Sequence, residues 1–260
     1  MRVDREGEKE ERLAARGDRI LDALATLITR WGYGKTTVDD VAREAGVAKG
    51  TVYLHWSTKD AMLHALLERE ERQWNAVIIE HAVADPRGAT ISGIYRHALA
   101  LSLKNPLLRA LSTQDRDALG EWTRSPRSRA RARRRMEGMH ALIRAWRAAG
   151  WMRTDLSVEA QAYLLAALSY GILTIDAYLP TEFVPSSEEV LDAFAGMVRS
   201  AFEPDGAQAE EGRTKTAEMM IGLLRSLTAG QPPPGDESDS APPTSRAPDP
   251  GDTPDKEKKR

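Results

Sequence analysis

At 260 residues the chain suggests one or two domains, and a hydrophobic content of 41% excludes a wholly disordered or fibrous polypeptide. Its 37 basic and 39 acidic residues leave a formal charge of −2, which excludes coating of nucleic acid by bulk basic charge, so any DNA site must be local. The absence of cysteine removes disulfide frameworks, thiol nucleophiles and Cys-ligated metal centres together, and is compatible with a cytoplasmic location.

Residues 1–15 read as a charged N-terminal extension without the apolar core or small-residue cleavage site of a secretory signal. From there to residue 229 the apolar pattern is helical, with no alternating β-branched runs and no hairpin signals, which predicts an all-α body. Ile20, Leu24, Leu27, Ile28 and Trp31 make a stripe at helical spacing, and Gly32 and Gly34 end that first helix. A second helix is expected from Thr37, with Asp40 completing a capping box and Val38, Val41, Ala42 and Ala45 facing inward. Gly46 and Val47 turn the chain into a short third helix, Ala48 to Trp56, held by Val52 and Trp56. Lys49, Gly50, Thr51, Tyr53 and His55 are then left on its outer and N-terminal faces, where a cation, a hydroxyl and an aromatic suit phosphates and base edges. Ser57 and Asp60 suggest a capped fourth helix with Lys59 in its first turn, a lysine that a nearby phosphate would suit. A helical hairpin with solvated charged faces would share the local pattern.

The run Thr36-Thr37-Val38-Asp39-Asp40-Val41-Ala42, then Ala45-Gly46-Val47-Ala48-Lys49-Gly50-Thr51-Val52-Tyr53, then His55-Trp56 and Lys59-Asp60 resembles the TetR family of bacterial transcriptional regulators. The resemblance covers roughly Arg12 to Leu67. It implies a helix-turn-helix DNA-binding domain at residues 16–60, followed at 61–229 by a helical-bundle domain for ligand binding and dimerisation. It further implies DNA contacts from Thr36, Thr37, Lys49, Gly50, Thr51, Tyr53, His55 and Lys59; His55 has local packing as an alternative. Two positions depart from the family pattern. Ala48 stands where many relatives carry a capping Ser, and Leu54 occupies a position often aromatic or basic.

Beyond the fourth helix, with its stripe Met62, Leu63, Leu66 and Leu67, helical pattern resumes at Ile91 to Leu103, and Pro106 starts a new helix. A helix follows from about Arg127 to Ala149, ended by Gly150. Val158–Leu179 and Val190–Phe202 are the most apolar segments; the first is apolar nearly all round and reads as a buried helix too short to span a membrane, so no membrane partner is expected. The resemblance places these two segments in a homodimer interface, with Leu165, Leu168, Ile172, Phe194 and Val198 as dimerisation residues. It also implies a small-molecule effector, for which Trp74, Tyr95, His97, Met136, Met139, His140, Trp146 and Tyr163 are candidate pocket residues, although plain core packing would use the same side chains. One further helix is expected over Thr214 to Leu227, with Met219, Met220, Leu223, Leu224 and Leu227 on its apolar face.

Seven arginines between Arg124 and Arg135 form a basic run suited to an anion or to plain solvation. Residues 230–260 contain 8 of the 14 prolines and only two hydrophobic residues, Ala241 and Ala247, so they read as a disordered tail. Gly34-Lys35-Thr36 lacks the earlier glycine of a phosphate loop, and Glu137-x-x-His140 lacks the second copy a di-iron site needs. No catalytic residue, metal site or cofactor is therefore predicted. The function these observations imply is that of a TetR-like regulator, a repressor binding a palindromic double-stranded DNA operator as a dimer and released by an effector. A helical-bundle enzyme and a DNA-binding protein without an effector are the alternatives.

Overall fold

The computed structural model describes residues 2–204 together with 217–219, 221, 222 and 225, and among these it contains helices and no strands. The first helix, α1 (Arg2–Trp31), is longer than the apolar stripe predicts, because the segment read as a charged extension continues it. Physically, Ala, Leu, Glu and Arg are good helix formers even where nothing is buried. Its inward residues Ile20, Leu24, Leu27 and Ile28 are fully buried. The helix stops at Gly32, whose φ of 80° lies in the left-handed region and whose missing Cβ leaves room for the Asp117 carbonyl.

Helix α2 (Val38–Glu44) opens with the expected box: the Thr37 hydroxyl accepts from the Asp40 amide, and the Asp40 carboxylate accepts from the Thr37 amide. Those same contacts hold the Asp40 carboxyl below its ordinary pKa, the Thr37 hydroxyl contributing most. Helix α3 (Lys49–His55) starts at Ala48, which offers no side-chain cap, as the substitution of an expected Ser implies. Helix α4 (Lys59–Ala84) is capped one residue later than predicted: Thr58, not Ser57, accepts from the Ala61 amide, because Asp60 is engaged elsewhere.

The remaining helices are α5 (Ile91–Lys104), α6 (Pro106–Thr113), α7 (Arg116–Leu119), α8 (Pro126–Ala148), α9 (Val158–Thr174) and α10 (Ser187–Phe202). Pro106 begins α6 as expected, with the Asn105 side chain accepting from the Leu107 and Leu108 amides. Two apolar cores result. One joins α1 to α3, the first turns of α4, and Leu107, Leu111, Leu119 and Trp122 from the α6–α7 region. The other joins the second half of α4 with α5, α8, α9 and α10. Between them Arg69 pairs with Asp22 at 2.7 Å and with Glu70 at 3.3 Å, and Glu70 also accepts from Asn105 at 3.1 Å, so that α1, α4 and the α5–α6 junction meet in one polar knot.

Helix α9 departs from the reading of a helix buried on every side. Val158–Ala177 is long and apolar enough by composition to cross a bilayer, yet only 28% of its most apolar window is buried. Its inner side carries Ala162, Leu165 and Leu173, while Tyr163, Leu164 and Tyr170 face outward. Periodicity reports that a helix is apolar all round but not how many of its faces its own chain covers. Of the helix expected over Thr214–Leu227, the described residues are helical; Ala217 and Ile221 are buried and Met219 is exposed, while Met220, Leu223, Leu224 and Leu227 lie outside the described residues. The tail predicted for 230–260 also lies outside them.

Candidate nucleic-acid interface

The surface of α3 follows from which of its residues the core takes. Val52 is fully buried and Trp56 packs against the same core, which fixes the helix's rotation. Lys49, Gly50, Tyr53 and Leu54 are thereby turned to solvent, Tyr53 at 47% and Leu54 at 84% exposure. A Cβ on Gly50 would meet nothing within 4 Å, so another surface can approach the backbone closely there. Thr51 is half-buried beside this row, and Thr37 is exposed at the start of α2 with its hydroxyl donating to Asp40 at 2.6 Å. Lys49 donates to Asp39 at 2.8 Å, which raises its pKa and keeps it charged.

Three of the residues expected at DNA have contacts within the fold. Thr36 is buried and its hydroxyl donates to the Gly32 carbonyl at 3.0 Å, capping the turn rather than facing a ligand. The Lys59 ammonium donates to the Tyr33 carbonyl at 2.7 Å and the Thr36 carbonyl at 2.6 Å, and lies 4.0 Å above the Tyr33 ring. Burial lowers its pKa, against the pull of Asp60. Lysine in the first turn is thus held by backbone carbonyls of the preceding loop. His55 stacks on Trp56 with ring centres 5.2 Å apart, and its Nδ1 lies 3.4 Å from where a Cβ on Gly17 would stand; its buried Nε2 has no partner among the described residues. Local packing, the alternative role for His55, is the one its position fits.

The residue that sequence reasoning passes over is Tyr33. Its hydroxyl donates to Asp60, and its pKa is raised, chiefly by burial and then by that carboxylate. Tyr33, Lys59, Thr36 and Asp60 together brace the loop between α1 and α2 against the start of α4. Spacing alone gives no sign of this, because the residues are brought together only by tertiary packing.

The other candidates separate by burial and by partner. Trp74, Tyr95 and Met139 cluster in the second core, with the Tyr95 hydroxyl 3.5 Å from the Met139 sulfur. His97 is half-buried and stacks on His81 at 4.0 Å; burial first, then His81 and Arg96, lower its pKa. His140 is half-buried and Met136 exposed, whereas Glu137 of the Glu-x-x-His pair is bound to Arg133 at 2.8 Å. Trp146, expected at a pocket, is fully buried and donates from its indole to the Ala89 carbonyl at 3.0 Å, a structural role; Tyr163 points outward at 72% exposure. Among the expected dimerisation residues, Leu165, Phe194 and Val198 are buried in the chain's own core and Leu168 and Ile172 pack partly against it. The exposed large apolar residues of α9 and α10 are Tyr163, Leu164, Tyr170 and Met197, with Ile175 just beyond α9.

Comparison with known proteins places the α1–α4 region. Residues 20–66 match the family model described as bacterial regulatory proteins, tetR family. The chain is 33% identical over 92 positions to the uncharacterized HTH-type transcriptional regulator TtgW of Pseudomonas putida, a match covering 29% of this chain and 69% of TtgW. It is also 33% identical over 92 positions to the HTH-type transcriptional regulator SrpR of Pseudomonas putida, covering 29% of this chain and 43% of SrpR, less than half of that relative's length. The solved complex of SmeT with triclosan shares the fold, with a TM-score of 0.55 at 21% identity over 74% of this chain and 93% of SmeT.

Proposed function

This chain belongs to the TetR family of bacterial transcriptional regulators, and from that premise we propose that it is a repressor that binds a palindromic operator as a homodimer and is released by a small-molecule effector. The observation that carries the reading is the solvent-facing row Lys49, Gly50, Tyr53 and Leu54 on a helix anchored from behind by Val52 and Trp56. Lys49 meets a phosphate, Tyr53 the backbone or a base edge, and Leu54 the methyl group of a thymine, a contact available only in the major groove. Thr37 and Thr51 flank these contacts. Two such helices related by a two-fold axis read two half-sites about one turn of duplex apart.

The dimer is supported by the outer side of α9, whose exposed Tyr163, Leu164 and Tyr170 are followed by exposed Ile175. Contiguous apolar surface of this kind is costly in water unless a second surface covers it. The effector acts by population shift: it binds better to the spacing of recognition helices that does not fit the operator. Trp74, Tyr95, His97, Met136, Met139 and His140 are the side chains around which it would be held. The binding of SmeT to triclosan in the same fold is the parallel for such a ligand.

Selection of bound fragments from a random duplex pool by the purified protein tests the reading. A palindrome enriched by the wild type and absent with Lys49→Ala and Tyr53→Ala together is the expected result; no enriched palindrome overturns it. Repeating the selection in a cell extract depleted of protein reports whether small molecules release the complex.

A further inference from the structure

Helices α4 and α5 meet at a corner, the 3-10 turn Pro86–Ala89, which is held shut from several sides. The Gly88 and Thr90 amides donate to the Asp85 and Arg87 carbonyls at 2.7 and 3.2 Å, and the Asp85 carboxylate accepts from the Arg87 amide at 2.9 Å. Glycine lets the backbones come this close: a Cβ on Gly88 would stand 2.8 Å from the His81 carbonyl, and one on Gly93 would run into the Arg87 carbonyl. Trp146 of α8 pins the corner through its bond to the Ala89 carbonyl.

Where the two helices leave this corner, His81 of α4 and His97 of α5 lie face to face, with ring centres 4.0 Å apart and planes within 6° of parallel. His81 is exposed and His97 half-buried. Two neutral imidazoles stack favourably, and one imidazolium over a neutral ring is attracted as a cation to an aromatic face. Two imidazolium ions at this spacing repel, and the hydrogen-bonded corner keeps their backbones from parting freely. The charges around the pair do not offset that repulsion. Asp85 is the acid acting on it from α4, and its carboxylate is engaged by the Arg87 amide, while the Arg87 side chain is exposed. Arg96 adds a positive charge on α5; the acids near it, Glu188 and Asp192 of α10, are bound to that guanidinium at 3.3 and 2.7 Å. Glu203, at the end of α10, accepts from the Ser92 amide. Burial first, then His81 and Arg96, hold the His97 pKa below its ordinary value, with Asp85 opposing.

We propose that His81 and His97 form a proton-sensitive clasp between α4 and α5, which holds while the pair carries at most one proton and is driven apart when both rings are charged. The idea goes beyond the regulator reading and does not depend on an effector. Since α4 is a single helix from Lys59 to Ala84, the clasp fixes the end of it farthest from α3. Its pH dependence has a definite sign. The folded state holds the His97 pKa down, so the unfolded chain binds the proton more readily; the stabilisation is complete above the ordinary histidine value of about 6.5 and is lost as pH falls below that through the folded value.

Histidine-labelled NMR of the full chain, with ring signals assigned by single replacements, reads the proton on His97, and amide hydrogen exchange reads the corner. His81→Phe covers the same ring face without being able to ionise, so it keeps the burial of His97 and removes the charge. The His97 midpoint is expected to move up in this variant and also in His81→Gln. Protection of the Asp85, Gly88 and Thr90 amides, corrected for the intrinsic pH dependence of exchange, is expected to fall severalfold between about pH 7.5 and about pH 5.5 in the wild type and to hold in His81→Phe. A His97 midpoint that is the same in the wild type and both variants, wild-type protection that does not change with pH, or an equal loss of protection in His81→Phe overturns the proposal.

Discussion

Helices α3 and α9 each bury one side in an apolar core, but what they show to water is opposite in chemistry. The outer row of α3 mixes a lysine, a glycine, a tyrosine and a leucine over seven residues, whereas the outer side of the seventeen-residue α9 is aromatic and aliphatic, with Tyr163, Leu164 and Tyr170. A short helix with donors and a cation suits a polyanion whose groove admits one helix; a long, mostly apolar face suits another protein surface. The difference teaches that exposure identifies an interaction surface and that residue type then selects its partner. It also shows why several residues expected at the dimer interface lie inside the protomer: in an all-apolar helix, size and hydrophobicity do not distinguish the side taken by the chain's own core.

The largest effect expected from this contrast is on the inner side of α9. Leu165→Ala leaves a cavity in the second core and costs about 2–5 kcal/mol of stability, read by chemical unfolding. On the outer side, Leu164→Glu with Tyr170→Glu leaves the helix content by circular dichroism unchanged and gives monomers in sedimentation. Dimers that survive this double change would break the assignment of α9 to the subunit interface.

On the α3 side, Lys49→Gln weakens operator binding and makes the dependence of log affinity on log salt shallower by about 0.9 for each phosphate that is no longer neutralised, twice in a dimer. Lys59→Met sharpens the comparison, because its ammonium serves the Tyr33 and Thr36 carbonyls: it lowers stability by roughly 1–3 kcal/mol and leaves the salt slope as it was. A changed slope would return Lys59 to the DNA. The smallest effect is a gain. Ala48→Ser supplies the missing cap of α3 and stabilises the protein by about 1 kcal/mol in thermal unfolding.

Features are legible in the sequence where the interaction is itself local. The Thr37–Asp40 box, the uncapped start at Ala48, the turn at Gly46 and the helix start at Pro106 all depend on neighbours within a few residues. Thr36 and Lys59 point to DNA by their place in a motif; the Thr36 hydroxyl instead reaches the Gly32 carbonyl four residues back, a local bond, whereas the partners of Lys59, the carbonyls of Tyr33 and Thr36, come within reach only when α1 packs against α4. Arg131 is hidden differently: it reads as one of seven arginines in a run, and nothing local tells that this one reaches Glu71 of α4, at 3.2 Å.

The glycine that ends α1 has a mechanical consequence. At Gly32 the backbone closes against Asp117, and the next residue, Tyr33, donates its amide to the Ala118 carbonyl at 2.7 Å. The reading head is therefore moored to the larger body by this backbone bolt beneath α7 as well as by the unbroken rod of α4 and the apolar seam of Leu107, Leu111, Leu119 and Trp122. Any side chain placed at position 32 would run into the Asp117 carbonyl and pry this bolt open, leaving the head held by α4 and the apolar seam.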